Sequence, residues 1–134
     1  MIRSLVLTAS LLISAPALAQ QGDGARELSS RPGTVAMLRG LDKVTARTRD
    51  FEAPVGEAVQ FGALSITVQY CRKRPPEEPP EVFAFLQVND RRTDGFGGED
   101  EGEQIFSGWM FASSPGLNAL EHPVYDVWVI DCRS

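Results

Sequence analysis

The chain has 134 residues, 43% of them hydrophobic and 23% charged, with a formal net charge of −5. That length holds a single domain with one modest core. The acidic balance argues against phosphate backbones and anionic headgroups as primary partners, and nucleic acid binding is set aside on that ground.

The first residues, MIRSLVLTASLLISAPALAQQ, have the three parts of a secretory signal peptide. Arg3 supplies the positive start, Leu5 to Ile13 the apolar centre, and Ala17-Leu18-Ala19 an A-x-A cleavage site. Cutting after Ala19 makes Gln20 the mature N-terminus and predicts an exported protein. The apolar run is too short to span a hydrocarbon core of ~30 Å. Residues 20–33 are polar and glycine-rich and read as a flexible leader, which leaves 34–134 as one β domain.

From Thr34 onward the texture is that of strands. Val35 to Leu38 is short and apolar, and Val44 to Phe51 reads as a polar edge strand. Pro54-Val55-Gly56-Glu57 is a turn, followed by a short segment from Ala58 to Phe61. The clearest strand is LSITVQYC. Leu64, Ile66, Val68 and Tyr70 alternate with Ser65, Thr67, Gln69 and Cys71, which predicts that Tyr70 faces the core and Cys71 faces away from it.

Four prolines in PPEEPPE forbid a ladder or a helix interior, so this stretch is predicted to be an exposed, stiff connector. Val82 to Val88 is apolar on both faces, as a central strand is. The acidic, glycine-rich loop from Asp94 to Glu103 lacks the spacing of a calcium loop. In IFSGWMFA, Ile105, Ser107, Trp109 and Phe111 alternate with Phe106, Gly108 and Met110. Gly108 predicts a ring or a backbone packed close against it. In the final strand, Tyr125, Val127 and Val129 oppose Asp126, Trp128, Ile130 and Cys132. Between these last two strands, Leu117 to Glu121 is long enough for one helical turn, with Leu117 and Leu120 plugging one end of the fold.

In an exported chain two cysteines most simply form one disulfide, Cys71 to Cys132. No C-x-x-C turn marks a redox-active pair. A serine-histidine-carboxylate set can be drawn from Ser113, His122 and Asp126, but no G-x-S-x-G elbow accompanies it. One histidine without free thiols is too little for a metal site, so neither a metal nor a cofactor is expected. A lone histidine in a turn more often bonds the neighbouring backbone and orients the loop.

Three blocks, PVGEAVQFGALSITVQYCRKRPPEEPPE, FAFLQV and FSGWMFASSPGLNALEHPVYDVWVIDC, carry a resemblance to a family. The chain resembles the small exported proteins of Gram-negative bacteria grouped as domain of unknown function 2155. Tyr70 departs from the pattern, standing where a smaller residue is expected. The resemblance implies periplasmic location and a single β-rich domain. It implies no activity and transfers no site residue.

The predicted fold is all-β, with roughly seven short antiparallel strands. The first choice is a small sandwich with one helical turn near the C-terminus, and the second is a small barrel. The favoured function is a non-enzymatic periplasmic binding or structural module of the cell envelope. Its partner is an envelope protein or is associated with peptidoglycan, and it is met by Trp109, Trp128, Asn118 and His122. The alternative is a small hydrolase or saccharide-binding domain using His122 and Asp126.

Overall fold

The computed structural model describes residues 29–91 and 102–134. The expected signal peptide, most of the leader and most of the acidic loop lie outside the described residues. Eight strands follow in chain order: β1 (Arg31–Pro32), β2 (Val35–Asp42), β3 (Arg47–Pro54), β4 (Ala58–Phe61), β5 (Leu64–Lys73), β6 (Val82–Asp90), β7 (Glu103–Phe111) and β8 (Tyr125–Arg133). They form two antiparallel sheets. One has five strands in the order β1-β5-β6-β7, with β4 also on β5; the other has three, in the order β3-β2-β8. The sheets stay separate, so the fold is a sandwich and not a closed barrel.

Local chemistry explains the β2–β3 hairpin. Asp42 Oδ1 accepts the backbone N–H groups of Val44 and Thr45 at 2.9 and 3.1 Å, an Asx turn that halts β2. Ala46 completes the turn with φ 56°. Val44 therefore lies in the turn, and the strand expected from Val44 starts at Arg47 instead. Residues 47–50 are all exposed, and their charge is what an unpaired edge requires. β2 also runs past the expected end at Leu38. Gly40 continues it because a Cβ there would lie 2.4 Å from the Phe61 ring. Phe61 in turn stacks on Phe51 at 5.2 Å and meets the edge of Tyr125 at 5.7 Å.

The core lies between the sheets. Leu64, Ile66, Val68, Ala84, Leu86 and Val88 from the larger sheet meet Ala36, Leu38, Ala53 and Val129 from the smaller, all with no exposed surface. Each buried Leu, Ile or Val side chain among them contributes about 1.5–3 kcal/mol, the alanines less.

Two bulges correct the predicted phasing. In β5 the register passes from Val68↔Leu86 to Tyr70↔Phe85, so Gln69 is an extra residue. In β8 it passes from Leu38↔Val129 to Met37↔Asp131, so Ile130 is extra. An extra residue reverses the alternation beyond it. Tyr70, predicted to face the core, is 61% exposed, whereas Cys71, predicted to face away from it, is 2% exposed, and Cys132, counted on the face opposite Val127 and Val129, is 5% exposed. The two sulfurs meet as a disulfide with a Cα–Cα distance of 5.9 Å, stapling β5 of one sheet to β8 of the other. The chain crosses between sheets directly over this staple. Gly33 N–H donates to Cys71 O at 2.8 Å and Thr34 N–H to Arg133 O at 2.7 Å, and a Cβ on Gly33 would lie 2.3 Å from Cys132 Sγ. Arg31 and Pro32, the last residues of the expected leader but one, pair with Lys73 and Arg72.

Candidate functional site

The segment from Ala112 to Val124 carries the chain from β7 in the larger sheet to β8 in the smaller. It has hydrogen-bonded turns in place of the expected helical turn: Ser114 N–H donates to Phe111 O at 3.2 Å and Leu117 N–H to Ser114 O at 3.0 Å. Leu120 plugs the core at 3% exposure, but Leu117 does not, being 71% exposed.

Its polar residues act as pins. The Ser113 hydroxyl donates to Glu81 Oε2, and the Ser113 N–H donates to Glu81 Oε1 at 3.2 Å. Partial burial acts to raise the Glu81 pKa. The Ser113 hydroxyl and the N–H groups of Ser113 and Val82, together with nearby Arg74, outweigh it and hold the carboxyl below its usual range. Asn118 Nδ2 donates to Trp109 O at 2.8 Å. Its amide fills the space over Gly108, where a Cβ would lie 2.6 Å from Nδ2. What packs closest against Gly108 is thus a side-chain amide, with the Phe106 ring the next neighbour at 3.4 Å.

His122 is the deepest pin, at 5% exposure. Its Nδ1 accepts the N–H groups of Val124 and Tyr125 at 3.1 and 3.0 Å. The lone pair therefore sits on Nδ1, the ring proton sits on Nε2, and Nε2 donates to Asp90 Oδ2 at 3.0 Å. The His122 ring stacks on Tyr125 at 5.3 Å. Lys43 Nζ donates to His122 O at 2.8 Å and pairs with Asp126 Oδ1 at 2.8 Å. Ser113, His122 and Asp126 are thus engaged with Glu81, Asp90 and Lys43 respectively, and no hydrogen bond links the three to one another. Among the described residues no three histidine, cysteine or acidic side chains converge as metal ligands.

The two tryptophans lie on opposite outer faces. Trp128 is half-buried on the smaller sheet, in register with Arg39, whose guanidinium is held by Asp50 at 2.6 and 2.8 Å. Trp109 lies on the larger sheet at the centre of a ring cluster. Register sets Tyr70 beside Phe85, Phe85 beside Trp109, and Phe83 beside Phe111. Ring centroids lie 5.4 Å (Phe85), 5.9 Å (Phe83) and 6.3 Å (Tyr70) from Trp109. Beside them Gln69 Nε2 donates to Gln87 Oε1 at 3.0 Å. The sequence singles out Trp109 but not Tyr70, Phe83 and Phe85 as members of this face, and Asn118 packs instead over Gly108, on the other side of β7. Sequence reading also missed Asp90, although extending the β6 alternation Val82, Ala84, Leu86, Val88 by one step puts Asp90 on the buried side.

Comparison with known proteins places the chain beside others without an assigned activity. The model of a family described as an uncharacterized protein conserved in bacteria (DUF2155) matches residues 36–132. The uncharacterized protein RP359 of Rickettsia prowazekii (strain Madrid E) is 26% identical over 99 residues, covering 74% of this chain and 61% of its own length. No solved structure matches.

Proposed function

We propose that this chain, which belongs to the DUF2155 family, is a non-catalytic binding module of the bacterial cell envelope, exported by its N-terminal segment and working in the periplasm. The observation that carries the reading is the aromatic face of the larger sheet. Tyr70 is 61% exposed and Trp109 38% exposed, and they adjoin Phe83, Phe85 and Phe111. Single exposed apolar residues are ordinary on a soluble protein, whereas a contiguous cluster of rings marks a contact surface. Aromatic anchors beside a polar rim are the usual centre of a protein interface. Gln69 and Gln87 supply that rim here, so the partner is an envelope protein.

The hydrolase alternative finds less support, because His122, Ser113 and Asp126 hold separate structural bonds. The test uses the full exported chain, tagged, with the double variant Tyr70→Ser/Trp109→Ser and, on the opposite sheet, Met37→Ser. The expected result is a specific protein that co-purifies with the wild type and with Met37→Ser but not with the double variant, whose thermal unfolding is otherwise similar. A partner kept by the double variant would refute the reading. Sedimentation with purified sacculi, abolished in the double variant, would transfer the face to a saccharide.

A further inference from the structure

A cleft of about 810 Å³ opens at the disulfide end of the sandwich, where Lys73 on β5 and Val82 on β6 line it beyond Tyr70 and Phe83 of the ring cluster. Its size falls in the range of ligand sites, ~300–1,000 Å³. One wall is the β5–β6 connector, with Pro75, Pro76 and Pro80; the opposite wall is β1 with Pro32; Val82 and Cys132 line the interior. The walls are fixed. Pro75 is buried, Arg74 N–H donates to Glu81 O at 2.9 Å, and the Ser29 hydroxyl donates to Glu78 Oε1 at 2.8 Å. Arg72 Nε donates to Ser30 Oγ at 2.7 Å. The connector predicted to be an exposed spacer is thus one side of a built site.

The charge at this cleft runs against that of the chain. Four cations (Arg31, Lys73, Arg74 and Arg133) line it against two carboxylates (Glu78 and Glu81), in a chain of net charge −5. Both carboxylates accept hydrogen bonds within the fold. Lys73 is held by Asp131 at 2.7 Å, and Arg133 lies 3.5 Å from Glu52. Arg31 forms no ion pair among the described residues, and Arg74 makes no direct pair either but lies close enough to Glu81 to help lower its pKa. Proline walls offer ring faces and carbonyl acceptors but no N–H donors, which suits an occupant that brings amide N–H groups of its own.

We infer that this cleft is a second binding site, taking a short extended peptide segment that carries both carboxylates and apolar side chains. Arg31 and Arg74 receive the carboxylates, and the proline faces with Val82 receive the apolar groups. The chain's preformed, stiff walls lower the ordering cost of such a complex.

The test is a titration of the oxidised mature protein, followed by amide NMR shifts, with an acetylated hexapeptide of alternating glutamate and leucine. Expected are shifts confined to the cleft, at Gly33, Lys73, Val82 and Cys132. Binding should weaken about tenfold or more in Arg31→Ala/Arg74→Ala, fall with added salt, and be unchanged in Trp109→Ser, so that this site and the ring face are judged separately. The inference is overturned if the glutamine-for-glutamate peptide moves the same amides equally, or if no cleft amide moves at millimolar peptide. It is also overturned if phosphatidylglycerol vesicles move them and the peptide does not.

Discussion

Replacing both cysteines, Cys71→Ala/Cys132→Ala, removes the disulfide that cross-links β5 of the larger sheet to β8 of the smaller. The bridge spans a sequence separation of 61. Chain-entropy reasoning gives about 4 kcal/mol for a loop of that size. The two sulfurs are buried, at 2% and 5% exposure. Each is roughly a methylene in size, so their loss adds about 1–2 kcal/mol together. The sum is roughly 5–6 kcal/mol, against a total of about 5–15 kcal/mol for an ordinary domain. Urea unfolding followed by tryptophan fluorescence measures it. With a slope of about 1–3 kcal/mol per molar for small proteins, the midpoint is expected to fall by roughly 2 M or more, with much of the variant unfolded in buffer. A midpoint shift below about 0.5 M would refute the staple as a main source of stability.

Three further outcomes are expected. His122→Ala removes one hydrogen-bond partner of the Asp90 carboxylate and the acceptor of the Val124 and Tyr125 N–H groups. Stability should fall by about 2–4 kcal/mol, read by the same urea assay, and a loss below 1 kcal/mol would contradict the pin. Glu81 and Asp131 have lowered folded-state pKa values: partial burial opposes the shift in both, and bonds from Ser113 to Glu81 and from Lys73 to Asp131 outweigh it. Their contribution is therefore present above the ordinary carboxylate range, about pH 4, and is lost as pH falls through it. Glu81→Gln should accordingly destabilise the fold at pH 7 and have little effect at pH 2.5, as thermal scans at the two values would show. Acrylamide should quench Trp109 strongly and Trp128 weakly, so Trp109→Phe should remove most of the quenchable emission; quenching undiminished in that variant would mean the ring face is closed.

Much of the sheet was legible because alternation is a local property. β6 and β7 read correctly as strands, and residues 47–50 show the charge of an edge. The phase of a strand is not local once a bulge intervenes. Neither Gln69 nor Ile130 is a glycine or proline that would mark an inserted residue, so simple counting put Tyr70 on the core side of β5 and Cys71 on the other. The expected Cys71–Cys132 disulfide already held the correction, since two half-cystines joining facing sheets must both point in. The loop was legible in role and not in partner. A turn histidine bonding its own backbone follows from local chemistry, whereas its approach to Asp90, 32 positions away, depends on where β6 ends. Likewise, the assignment of Trp109 and Trp128 to opposite faces follows from strand order, which periodicity does not encode.

The central claim is that the protein meets its partner through the ring face of the larger sheet. The most direct measurement places a photo-crosslinking amino acid at Tyr70 or at Met37 of the full chain and irradiates intact cells. The account predicts one discrete protein adduct from position 70 and none from position 37. Equal adducts from both positions, or an adduct from position 37 alone, would contradict it.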